Sequence, residues 1–153
     1  MDTMTSSLPS PKRAEAISAV EGEFVQMINR FRRLIARRAE GISPGLLPGA
    51  YKVFSTIAQS GPFTASALVD QLVLDKSQLS RTIADLEKRG LVERHPDPRD
   101  RRAHLLSVTA EGRARYDALH ESHDSLNMRA KLDEWRVEDI RRLADFLHAL
   151  NKG

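Results

Sequence analysis

The sequence contains no cysteine. That excludes a disulfide framework, a thiolate metal site and a thiol-based redox switch. No apolar run approaches the ~18 residues of a membrane span, so no membrane partner is expected. Met1 to Lys12 is rich in Ser, Thr and Pro and lacks the apolar stretch of a secretory signal. Residues 1–12 read as a disordered tail, and the chain is expected in the cytoplasm. No nucleophile–base pair stands at a recognisable spacing, no glycine-rich loop is placed to cradle phosphates, and no segment repeats. The acidic residues are scattered over helical faces. The chain therefore reads as no enzyme, with no cofactor.

What is present is a globular balance. The 153 residues are 41% hydrophobic and 29% charged, enough to bury one ordinary core. The formal net charge is +3, a weak hint of a polyanionic partner. Where the charge sits matters more.

Apolar residues at three- and four-residue steps predict a helix from about Arg13 to Ala39 (Ile17, Val20, Phe24, Met27, Ile28, Phe31, Leu34, Ile35). So long a stripe suits a helix of another subunit. Gly41 to Pro48 breaks it. A second helix to about Gln59 buries Tyr51, Phe54 and Ile57, and Ser60-Gly61-Pro62 stops it. Thr64 can cap a short third helix through Leu72. Asp75 can start a fourth, with Gln78 reaching back as in a capping box. On it Leu79, Ile83 and Leu86 face inward, and Gly90 ends it. Leu91 to His95 and His104 to Val108 read as two short strands around a polar hairpin tip. Thr109 caps a fifth helix carrying Tyr116, Leu119 and Leu126. A last one runs from about Arg136 to Leu150.

This order predicts a mainly α fold with a small β-hairpin wing: a winged helix-turn-helix whose terminal helices form a dimerisation region. The expected boundaries are 13–45 for the N-terminal dimerisation helix, 46–109 for the winged helix-turn-helix, and 110–153 for the C-terminal helices.

The fourth helix is the natural recognition helix. A major groove about 12 Å wide admits one helix, whose N-terminal side chains reach base edges. Here those are Ser77, Gln78, Ser80 and Arg81, with Lys76 placed for a phosphate. Gln suits adenine, Arg suits guanine, and Ser serves either. Alone, this is also how a solvated polar helix face looks. The hairpin adds weight: Arg94 to Arg102 holds four arginines against two aspartates. Arg99, Arg101 and Arg102 at a protruding tip suit a minor groove and nearby phosphates. Asp97 and Asp100 are placed to brace the guanidinium groups. Thr64 and Ser66, opening the third helix, suit backbone phosphates.

Three stretches then carry a resemblance. They are Leu74-Asp75-Lys76-Ser77-Gln78-Leu79-Ser80-Arg81-Thr82-Ile83, Leu86-Glu87-Lys88-Arg89-Gly90-Leu91-Val92-Glu93-Arg94 and Asp97-Pro98-Arg99-Asp100-Arg101-Arg102. With Leu106 to Gly112 they resemble the MarR family of bacterial transcription regulators, most densely from Leu47 to Tyr116. The resemblance implies a homodimer joined by its terminal helices. It also implies a palindromic operator in double-stranded DNA, and repression usually relieved by a small-molecule effector. Two departures stand out. The turn before the recognition helix often carries Gly in this family and here has Val73, which disfavours positive φ, so a slightly different turn is expected. Oxidant sensing through cysteine is excluded. The rival readings are a winged-helix protein-interaction module without DNA binding and a small hydrolase, the latter with no catalytic constellation.

Weaker signals remain. His120 and His123 share a face and, with His148 or Glu121, have the spacing of a zinc site. The plainer reading is two exposed or interface histidines, with no metal. His95 and His104 are placed to pair across the hairpin. Trp135 reads as a packing anchor. Phe24, Tyr51, Phe54 and Tyr116 either line an effector site at the joint between arms and winged domain or fill the core.

Overall fold

The computed structural model describes residues 10–121 and 128–152. Within them the apolar stripes fold as helices and the wing as a sheet. The order is α1 (Pro11–Ile42), α2 (Pro48–Ser60), β1 (Phe63–Thr64), α3 (Ala65–Leu72), α4 (Lys76–Lys88), β2 (Val92–Asp97), β3 (Asp100–Val108), α5 (Ala110–Glu121), α6 (Met128–Asp133) and α7 (Val137–Asn151). Proline opens both α1 and α2, where its missing N–H costs nothing and its fixed φ suits the first turn.

The core gathers where α2, α3, α4 and the sheet meet. Phe54, Ile57, Leu68, Leu79, Leu86, Leu91 and Leu106 are fully buried there, joined by Ile42 from the end of α1. Burying a side chain of this size stabilises by about 1.5–3 kcal/mol. Tyr116 of α5 closes the core edge-on against Phe54, ring centres 6.1 Å apart.

The sheet has one strand more than the sequence suggested. Its order is β1-β3-β2, all antiparallel. β1 is only Phe63–Thr64, paired with Leu106 and Leu105, too short to show an alternating pattern. The hairpin strands also run further into the expected tip than Pro96 suggested, leaving Pro98 and Arg99 as the turn. Pro96 is tolerated because β2 is an edge strand.

Two joints fix how α4 is presented. At the first, Val73 takes φ 51°, ψ 49°, and the Val69 carbonyl accepts from both the Val73 and Leu74 amides. The expectation that a β-branched residue would alter this turn is overturned. Valine adopts the left-handed conformation that glycine would supply, with its side chain almost wholly in solvent. At the second, Gly90 (φ 73°) ends α4. The Thr109 hydroxyl then donates to the Gly90 carbonyl at 2.6 Å and accepts from the Gly112 amide at 2.9 Å. Thr109 thus caps α5 as expected and also ties it to the root of the wing.

The terminal helices behave as arms. Ile17, Val20, Met27, Ile28 and Phe31 of α1 and Phe146 and Leu150 of α7 are exposed. Trp135, expected to anchor packing, is half exposed beside α7. Leu126 of the expected fifth-helix stripe lies outside the described residues.

Candidate nucleic-acid interface

α4 lies with Leu79, Ile83 and Leu86 buried, so its outward crest falls on the opposite side. At helical spacing that crest is Ser77, Arg81, Ala84 and Lys88, all exposed. Two clefts flank it. One, of about 370 Å³, is lined by Ser66, Lys76, Ser77, Ser80 and Arg94 among others. The other, of about 610 Å³, is lined by Gln78, Arg81, Thr82, Asp85 and Arg89 with residues of the α1–α2 corner. The predicted residues of α4 thus divide: Lys76 and Ser80 on one flank, Gln78 on the other, Ser77 and Arg81 on the crest. Ala84 and Lys88 extend the crest beyond the first turns of the helix, where no DNA contact was expected from the sequence. The exposed side of the same periodicity would have found them.

The start of α4 departs from the expected capping box. The Asp75 carboxylate accepts the Ser77 hydroxyl at 2.5 Å, and no side-chain cap on the helix amides forms. That hydroxyl bond, helped by the nearby amides of residues 76–78, holds the Asp75 carboxyl below its ordinary range. The Ser77 hydroxyl proton is therefore engaged, leaving its oxygen as an acceptor for an incoming donor. Thr64 caps α3 as expected, its hydroxyl accepting from the Ala67 amide at 3.2 Å. Ser66 is exposed on the first turn of α3, across the smaller cleft from Ser80.

The wing is built differently from expectation. Asp97 accepts from the Arg99 amide and Asp100 from the Arg102 amide, both at 2.9 Å. The two carboxylates brace the backbone, as Asp does in tight turns, and not the guanidinium groups. Among the described residues Arg99, Arg101 and Arg102 make no ion pair and stand exposed. Arg94, by contrast, is tied back to Glu87 of α4 at 2.8 Å. His95 meets Glu93 at 3.1 Å, and the register sets it opposite Leu105, so the expected His95–His104 pair does not form.

Of the two histidines with metal-site spacing, His123 lies outside the described residues. His120 stacks on Tyr116 with ring centres 4.0 Å apart and its Nδ1 lies 2.9 Å from the Tyr116 carbonyl. Of the aromatics weighed for an effector site, Tyr51, Phe54 and Tyr116 are buried in the core cluster. Burial pushes the Tyr51 phenol above its ordinary range, partly offset by the Arg38 guanidinium donating to it.

A capped helix pair, a helix with an exposed polar crest and a basic wing beside it define a winged helix-turn-helix protein. The chain belongs to the MarR family. The family's profile matches residues 45–103. The HTH-type transcriptional regulator YwoH of Bacillus subtilis is 30% identical over 106 residues, which are 68% of this chain and 77% of that protein. The transcriptional regulator HosA of Escherichia coli O111:H- is 35% identical over 89 residues, 58% of this chain and 65% of HosA. A putative transcriptional regulatory protein for the hcr operon of Thauera aromatica is 32% identical over 88 residues, 58% of this chain and 50% of that protein. The chain thus spans less than two thirds of these last two relatives.

Among solved structures, a mutant MarR from E. coli complexed with operator DNA is 25% identical. It matches with a TM-score of 0.61 over 85% of this chain and 92% of that one. FabT of Streptococcus pneumoniae in complex with DNA has a TM-score of 0.75 at 18% identity, covering 88% and 94%, and shows the shared fold. No described helix is long and apolar enough to cross a membrane.

Proposed function

We propose that this chain is a cytoplasmic homodimeric transcription repressor that binds a palindromic operator in double-stranded DNA and has no enzymatic role. One observation carries this reading: the crest of α4 stands beside a wing whose three tip arginines are exposed and, among the described residues, in no ion pair. Arg81 and Ser77 read base edges from the crest, Gln78 and Ser80 from its flanks, and Lys76 and Lys88 hold phosphates. Arg99, Arg101 and Arg102 serve the minor groove and the backbone beside it. Thr64 and Ser66 hold phosphates at the start of α3. The solved E. coli relative bound to operator DNA supports the same use of the fold.

The homodimer reading rests on the apolar faces of α1 and α7 left open by a single chain, since so large an apolar surface calls for a partner. Release by a small molecule belongs to the same proposal. Without cysteine it is noncovalent or runs through a metal.

The test is selection of bound sequences from random DNA, with the surviving motif read for two-fold symmetry. A symmetric motif is expected. Arg81→Ala should then lose about 1–3 kcal/mol on it and relax specificity at one position. Failure to enrich any sequence, or sedimentation as a stable 17.2 kDa monomer at micromolar concentration, would defeat the proposal.

A further inference from the structure

The corner between α1 and α2 is held by long side chains from three elements. Glu40 of α1 accepts from the Gly45 amide at 2.9 Å. Arg115 of α5 donates to the Ile42 carbonyl at 2.9 Å while pairing with Glu111 at 2.6 Å. Arg89, at the C-terminal end of α4, donates from Nη1 to the Ser43 hydroxyl at 2.9 Å and to the Pro44 carbonyl at 2.7 Å. Its Nε lies 3.0 Å from both oxygens of Asp85, one turn back on α4. Ser43 is a buried polar residue, and Arg89 supplies its partner.

Arg89 thus directs its Nε and Nη1 donors to partners within the protein. Its side chain is 24% exposed, on the far wall of the larger cleft, and its Nη1 reaches the end of α1, where carbonyls gather negative potential. A planar fork fixed at both Nε and Nη1 sets direction as well as distance. Arg89 thereby ties the far end of the recognition helix to the base of the arm that carries the open apolar stripe.

The geometry points to Arg89 as a positioning residue for DNA reading. It fixes the angle of α4 against α1 and so sets the half-site spacing that the dimer accepts. This rests on the proposed dimeric operator binding. In such a dimer each recognition helix must enter the groove about one turn, roughly 34–36 Å, from the other. A change of angle at the base of the arm is carried to that separation.

The experiment uses the full chain and a synthetic duplex bearing the motif selected by the wild-type protein. Companion duplexes have the half-sites one base pair closer or further apart. Arg89→Met keeps the stem and removes the fork. It should weaken binding to the selected duplex by about three- to thirtyfold, shrink the penalty for altered spacing, and leave the salt slope unchanged because no phosphate contact is lost. Arg89→Lys should fall between Arg89→Met and wild type. Ser43→Ala removes a single contact and should move the spacing penalty in the same direction, which keeps the test open if Arg89→Met folds poorly. Equal losses at every spacing, a wild-type spacing profile, or a salt slope flattened by about one unit would overturn the assignment. If the wild-type protein selects no motif, the DNA reading fails and this inference falls with it.

Discussion

Replacing Val73 by glycine should make the protein more stable. The residue sits at φ 51° and is 90% exposed, so it holds a strained backbone and buries almost nothing in return. The left-handed conformation costs an L-residue about 1–2 kcal/mol, and a β-branched one belongs at the upper end. Glycine removes that strain but frees the unfolded chain, which costs about 0.4–1 kcal/mol. The difference is a net gain of about 1–1.5 kcal/mol, or roughly 2–6 °C in Tm for a chain of this size. Urea and thermal unfolding, run at one protein concentration because self-association shifts the midpoint, measure it. Val73→Ala is the control. It keeps the Cβ and most of the strain, so it should gain less than Val73→Gly. Equal midpoints for the two variants, or a loss of stability in Val73→Gly, would refute the strain argument.

Three further outcomes are expected. Arg99→Ala and Arg101→Ala should leave Tm unchanged and each flatten the salt slope of DNA binding by about one unit; unchanged affinity in both would remove the wing from the mechanism. Gly112→Ala should destabilise by about 1–3 kcal/mol or more, because its Cβ would overlap the Leu91 carbonyl oxygen and press on Val108 Cγ1; a wild-type urea midpoint would show that this contact yields. The Tyr51 phenol, raised by burial, favours the folded state below the ordinary tyrosine value near 10. That contribution fades as pH rises through the folded value. Unfolding midpoints against pH should therefore fall more steeply above pH ~10 in wild type than in Tyr51→Phe, and parallel curves would contradict it.

The helices were legible because their signals are local and repeated. Leu79, Ile83 and Leu86 mark one face of α4, and Thr64, Gly90 and Thr109 mark boundaries with side chains suited to them. Two-residue β1 carries no period at all and becomes visible only when β3 is in place to pair with it. Asp97 and Asp100 were correctly placed at the tip but given the wrong partners. A short side chain beside a turn finds a backbone amide two residues on more readily than a long, solvated guanidinium. The Arg89 and Arg115 contacts span 46 and 73 positions respectively, so no periodicity or motif near either arginine announces them. Val73 misled for another reason. Propensity says what a residue prefers, while the packing of α3 against α4 dictates what this turn must be. The stripe on α1 was readable as apolar, yet a sequence names no occupant for it.

Thr64 does two things at once. Its backbone is a strand residue opposite Leu105 of the wing, and its side chain caps the first turn of α3. The hairpin and the helix that precedes the recognition helix are therefore geared together through one residue. A wing that rocks cannot do so alone, since it carries the opening turn of α3 with it. The amides of Ala67 and of the β3 residues facing β1 should accordingly share a single opening event in hydrogen exchange.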